Sequence, residues 1–285
     1  MENVDSIYVF GEVSLNTKLL NLLNKYGVPI HFFNYYGWYI GTFYPRERNV
    51  SGFLVVKQVE HYLDPKKRLY LAKAFVKGSM KNLGTVAHTI DVSPFLKEVE
   101  HANDIKTLMS AEARFRKEYY RFLEKETGWA FGGRTRHPPE NPLNALISFG
   151  NSLVYTTVLK EIYQTQLLPT VSYLHEPSER RFSLSLDLAE VFKPLFSDRL
   201  ILKLLKSGKI TESHFREEVS FTYLNDEGRE VFLREYDALL KGTLKHRRLK
   251  RKVSLKQIVR LECYKLIKHL IGESRYKPFL FSTKG

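Results

Sequence analysis

The hydrophobic pattern of the chain changes period between residues 50 and 65, and that switch limits the fold more than any single motif. Before it, Ile7 to Phe10, Val28 to Phe33 and Trp38 to Tyr44 are short β-prone runs separated by Gly11, Gly27 and Gly37, with a helical segment from Lys18 to Tyr26. After it, apolar residues recur every three or four positions. Pro65 is placed to open a helix through Leu69, Ala72, Phe75 and Val76, because its missing N–H costs nothing in a first turn. Beyond the turn-rich Asn82 to Pro94 stretch, all but 128–145 and 172–183 fits helices. The expectation is an α+β chain: a small N-terminal β-sandwich-like domain, residues 1–60, then a large all-α domain, residues 61–285. There is no internal repeat or long low-complexity tract. Strand alternation assigns the abundant Tyr and Phe of the first part, Trp38 included, to packing rather than to base stacking.

One position on the helical stripe breaks the pattern. Leu108, Glu112, Phe115, Tyr119 and Phe122 share a face, so a carboxylate stands where the core is expected. Burying it without a partner is costly, and it calls for a metal, a cation, hydrogen bonds or a proton. Arg116, one turn on, is the structural alternative. Asp187 and Glu190 stand at i and i+3 beside the apolar stripe Leu184, Leu188, Val191 and Leu195, with Pro194 set to bend or shorten that helix. Asp198 is expected to orient a basic residue. His175 precedes the pair across a polar turn long enough to bring its imidazole back to them. Converged, Glu112, His175 and Glu190 would suit Mg2+ or Mn2+, with water and phosphate oxygens completing the shell. Taken alone, His175 is more often a satisfied local histidine.

Charge directs this chemistry toward a polyanion. The 45 Lys and Arg exceed the 31 Asp and Glu, giving a net charge of +14, and phosphate contacts with counterion release reward such an excess. No export segment is evident and no run approaches about 20 apolar residues, so a cytoplasmic location without membrane partners is expected. Cys263 is alone in the sequence, which excludes an intramolecular disulfide or a cysteine-built zinc site. Candidate DNA contacts are Arg134, Arg136 and His137 before the Pro138-Pro139 turn, and the run Lys241, Lys245, Arg247, Arg248, Lys250, Arg251 and Lys252. Asn144 and Ser148 share a helix face nearby, with capping as the plain alternative.

These segments resemble the CRISPR adaptation integrase family over nearly the whole length. The strings that carry the resemblance are VPIHFFNYYGWYIGTFYP, KKRLYLAKAFVKGSMKN, MSAEARFRKEYY, RTRHPPENPLNALISFGNSLVY, SYLHE and SLDLAEVFKPLFSDR. By position the resemblance makes Glu112, His175 and Glu190 the ligands of a divalent ion and Asp187 a helper beside it. It departs from the family pattern at GSMKN, ENPLN, Asn151, Lys193 and Glu190, where Asp is frequent. Lys193, a further candidate DNA contact, stands at a frequent Arg position and keeps the charge without the planar fork. The resemblance further implies a transesterase that joins the 3′ hydroxyls of a protospacer fragment to the ends of a CRISPR repeat, needs no ATP, forms a homodimer, and works with a small companion adaptation protein on double-stranded DNA. A metal-dependent nuclease or branched-DNA resolvase, and a non-enzymatic DNA scaffold, are the alternatives.

Overall fold

The computed structural model describes residues 4–47, 49–136, 138–177, 182–246 and 249–281. Strand β1 (Ile7–Phe10) leads through helix α1 (Thr17–Tyr26) to β2 (Ile30–Phe33), which lies parallel to it, and β3 (Tyr39–Phe43) returns antiparallel to β2. Parallel neighbours need a crossover, and α1 provides it. Asn16 caps that helix by accepting the Leu19 N–H at 3.0 Å, and Gly27 ends it at φ 66°, a left-handed conformation that suits glycine. Leu23, Val28 and Ile30 form a small separate cluster under α1. The opposite side of the sheet joins the main core, where Phe10 stacks on Phe33 and meets Phe149 at 5.9 Å.

The helical body follows as α2 (Gly52–Leu63), α3 (Pro65–Val86), α4 (Ser93–His101), α5 (Ile105–Thr127), α6 (Pro142–Tyr163), α7 (Ser183–Lys193), a π-helical turn over Pro194–Asp198, α8 (Arg199–Lys206), α9 (Asp226–Lys241) and α10 (Leu255–Leu270). Asp64 caps α3 by accepting the N–H groups of Lys66 and Lys67, with Pro65 in the first turn as the sequence indicates. Helix α6 is apolar nearly all round and buried on most sides, so it serves as the central rod against which α7 and α10 pack. Helix α7 lies between α3 and α6. That sandwiching fixes the acids it carries.

The β-rich start and α-helical remainder agree with the sequence reading, and two features refine it. The N-terminal strands make a single three-stranded sheet, with a helix and the helical body rather than a second sheet as its covering layers. Two antiparallel hairpins also interrupt the helical part: β4 (Phe215–Glu218) with β5 (Phe221–Leu224), and β6 (Thr243–His246) with β7 (Arg251–Ser254). Four-residue strands are too short to display a period of two against the surrounding helical pattern. Among the described residues no helix is long and apolar enough to cross a membrane.

Candidate active site

The first turns of α7 meet the irregular segment before it at Asp187. Its buried carboxylate accepts the backbone N–H groups of Tyr173 (2.6 Å), Leu174 (2.9 Å) and His175 (3.0 Å), and the His175 ring through Nδ1 (2.8 Å). Four donors on one carboxylate lock the loop to the helix. Because Asp187 accepts, Nδ1 of His175 carries the hydrogen, which leaves the Nε2 lone pair available to a ligand. Burial pulls the His175 pKa down, but the Asp187 hydrogen bond and the charges of Asp187 and Glu190 outweigh it and the pKa is raised.

One turn further along α7, Glu190 is buried between two cations. Lys193 contacts one carboxylate oxygen and Arg116 of α5 approaches the other at 3.5 Å. Arg116 also binds Asp198 at 2.8 Å, so the sequence expectation that Asp198 orients a basic residue is met. Burial opposes ionisation of Glu190, yet Lys193, Arg116 and His175 overcome it and hold its pKa near 2. Glu112 stands one turn before Arg116 on the same face of α5 and has the opposite balance. Burial and the Glu190 charge push its pKa up to about 7, against the pull of Arg116, Lys193 and His175. Its carboxylate keeps some solvent contact and has no hydrogen bond or ion pair among the described residues. Arg116 is therefore not the local partner of Glu112 that the spacing allows; it is drawn across to α7 and the π turn.

The structure thus brings His175 and Asp187 into contact, joins Glu190 to Lys193, and leaves Glu112 in their electrostatic neighbourhood without a hydrogen bond or ion pair among the described residues. No group of three His, Cys, Asp or Glu side chains among the described residues is gathered closely enough to hold a metal ion. The donor chemistry nonetheless suits a hard divalent cation: two carboxylates and an imidazole nitrogen left free because Asp187 holds the other ring nitrogen. The contribution of three backbone amides to Asp187 was not visible in the sequence, since it depends on the path of 172–175.

The DNA candidates divide. Arg134 is spent inside the protein, donating to Asn144 Oδ1 at 2.9 Å, Ser148 Oγ at 3.0 Å and the Thr135 carbonyl, whereas Arg136 is exposed. Lys245, Lys250, Arg251 and Lys252 are exposed on and around the second hairpin. Its register sets Lys245 opposite Lys252, a like-charge pair that repels unless an anion lies over it. Arg247 and Arg248, like His137, lie outside the described residues.

The family model for CRISPR associated protein Cas1 matches residues 1–238. This chain belongs to the Cas1 family. It is 53% identical to a CRISPR-associated endonuclease Cas1 of Thermodesulfovibrio yellowstonii, over 98% of this chain and 89% of that protein. A CRISPR-associated endonuclease Cas1 of Moorella thermoacetica is 51% identical over the same shares. A solved Cas1 protein from Thermotoga maritima, 44% identical, superposes with a TM-score of 0.90 over 98% of this chain and 89% of that one. Membership supports a CRISPR-associated nuclease or integrase function for the chain.

Proposed function

We propose that this Cas1-family chain joins the 3′ hydroxyls of a protospacer DNA fragment to the phosphodiesters at the ends of a CRISPR repeat by metal-dependent transesterification. The observation that carries this reading is the Glu112 carboxylate, which has no hydrogen bond or ion pair among the described residues and feels the charges of Glu190 and His175, a costly arrangement that a cation would relieve. Glu112, His175 through Nε2, and Glu190 would hold Mg2+ or Mn2+. Bound there, the ion supplies Lewis-acid polarisation of the phosphate and offsets the charge that develops on it. The chain's own residues do the rest. Asp187 fixes the tautomer and direction of His175, Asp198 anchors Arg116, and Arg116 and Lys193 set a positive wall where phosphate charge builds.

The attacking 3′ oxygen forms one phosphodiester bond as the repeat's own 3′ oxygen leaves from the same phosphorus, so the exchange needs no ATP. The proton of the attacking hydroxyl departs and the released 3′ oxygen gains one. Exposed Lys245, Lys250, Arg251 and Lys252, with Arg136, would carry the duplex through phosphate contacts. Two copies, bridged by a small companion adaptation protein in the cytoplasm, would serve the two repeat ends, with residues 1–60 as a β-rich N-terminal domain and 61–285 as the metal-dependent catalytic one. Hydrolytic cleavage is the second reading. It is favoured by the description of the relatives as endonucleases and needs only water in place of the 3′ hydroxyl.

The test incubates the protein and its small adaptation partner with labelled 3′-hydroxyl duplex and a supercoiled repeat-array plasmid in Mn2+ or Mg2+. Covalent joining that requires metal and is lost in Glu112→Ala supports transesterification. Cleavage without joining supports hydrolysis, and DNA binding with neither product returns the chain to a scaffold role.

A further inference from the structure

Helix α7 ends abruptly. Pro194 has no N–H to offer the Glu190 carbonyl four residues back, and the next turn is π-helical, with the Arg199 N–H reaching five residues back to the Pro194 carbonyl. The half of α7 that bears Glu190 and Lys193 therefore adjoins a break in the ordinary helical ladder. What stands behind that break is Asn82, a buried residue of α3. Its Nδ2 donates to the Val191 carbonyl at 2.9 Å and to the Phe279 carbonyl at 3.0 Å, while its Oδ1 accepts the Phe281 N–H at 2.8 Å. One amide thus ties three separate parts of the chain together: α3, the residue next to Glu190, and the C-terminal segment.

That segment is itself stitched down. The Tyr276 hydroxyl donates to buried Glu262 at 2.7 Å and the Phe279 N–H donates to the same carboxylate at 2.8 Å. The Tyr70 hydroxyl donates to the Tyr276 carbonyl at 2.9 Å. Phe279 stacks on Phe192 of α7 with ring centres 6.0 Å apart, and Arg199 lies over Phe281. Gly78, one turn before Asn82, lets the segment approach: a Cβ there would lie 2.6 Å from Cβ of Pro278 and 3.5 Å from a methyl of Val191.

We infer that Asn82 is a positioning residue for the acids of α7, acting through the Val191 carbonyl with residues 276–281 as a brace. Its importance to joining rests on the function proposed above; its hold on α7 does not. The brace holds the helix one residue past the carbonyl that Pro194 deprives of its helical donor, so removing it lets Glu190 and Lys193 drift while the remainder of the fold stays in place.

The experiment compares wild type, Asn82→Ala, Gly78→Ala and Leu23→Ala by amide hydrogen exchange and by joining kinetics. Gly78→Ala displaces the segment with Asn82 intact, so it tests the brace even if Asn82→Ala folds poorly. Leu23→Ala opens the separate cluster under α1 and, read at a temperature giving the same folded fraction, controls for general destabilisation. The expected result is exchange across 183–193 about tenfold faster in Asn82→Ala and Gly78→Ala, but not in Leu23→Ala. Joining turnover should fall about tenfold in the same two variants with KM for DNA unchanged. Unchanged exchange of 183–193 in Asn82→Ala, or an equal acceleration in Leu23→Ala, overturns the inference. Should wild type fail to join DNA, the proposed function falls while the exchange data still decide the brace.

Discussion

Replacing Glu112 by Gln should stabilise the metal-free protein at pH 8 and destroy its metal response. The carboxyl pKa rises from an ordinary 4.5 to about 7 in the fold because it is buried beside the charge of Glu190. Folded protein therefore keeps a proton that the unfolded chain has lost, and stability falls as pH climbs from 4.5 through 7. The cost is complete above that window and absent below it. A difference of this size corresponds to roughly 3 kcal/mol, and the residual solvent contact of Glu112 reduces it to about 2 kcal/mol. Gln keeps the shape and removes the charge. Urea unfolding in chelator should thus show Glu112→Gln more stable than wild type by about 2 kcal/mol at pH 8, and by less than about 1 kcal/mol at pH 5. Adding Mn2+ at pH 8 should reverse the order, since a hundredfold excess over Kd stabilises only the protein that binds it, by about 2.7 kcal/mol. Equal gains at both pH values, or a loss of stability at pH 8, would refute the assignment of Glu112 as an uncompensated buried acid.

Asp187→Asn puts an amide against three backbone donors and removes the acceptor that fixes His175; Mn2+ affinity should fall about 10- to 100-fold and stability by about 3 kcal/mol, checked by metal titration and urea unfolding, with wild-type affinity counting against the tautomer role. Lys245→Ala with Lys252→Ala should lower the slope of log K against log salt for duplex binding by about 1 to 2, and relief of their cross-strand repulsion should leave folding intact; an unchanged slope removes the hairpin from the DNA path. Burial, helped by the Lys160 charge, holds His31 down to a pKa of about 3. Its neutral form is favoured in the fold, so this contribution is present above pH 6.5 and lost as pH falls from there toward 3. His31→Gln should remove about 3 kcal/mol of the stability change between pH 7 and pH 4, measured by urea unfolding at each pH.

Much of the site was legible because its residues contradict their surroundings. Glu112 stands out on a stripe whose Leu108, Phe115, Tyr119 and Phe122 are all buried in α5, and Asp187 and Glu190 stand out against Leu184, Leu188 and Val191 in α7. Periodicity reveals such a residue because its cost is local. Partner choice is not local. Arg116 lies one turn from Glu112 yet pairs with Asp198, 82 residues away, and only the packing of α5 against α8, which the π turn adjoins, decides that. The same holds for Asn82: the sequence assigns it to the start of a turn-rich stretch, whereas α3 runs on through it to Val86, and its role depends on the chain returning nearly 200 positions later to bind it. The two hairpins escaped for a different reason. The run from Lys241 to Lys252 reads as charge, and charge reports a surface without reporting its backbone.

Crystals soaked in Mn2+ and measured at its absorption edge show whether Glu112, His175 and Glu190 hold a metal ion. An anomalous peak is expected within about 2.0–2.3 Å of a Glu112 oxygen, His175 Nε2 and a Glu190 oxygen, with Lys193 withdrawn from the carboxylate. A fully soaked crystal with no peak there, or with Mn2+ held only by other residues, would contradict it.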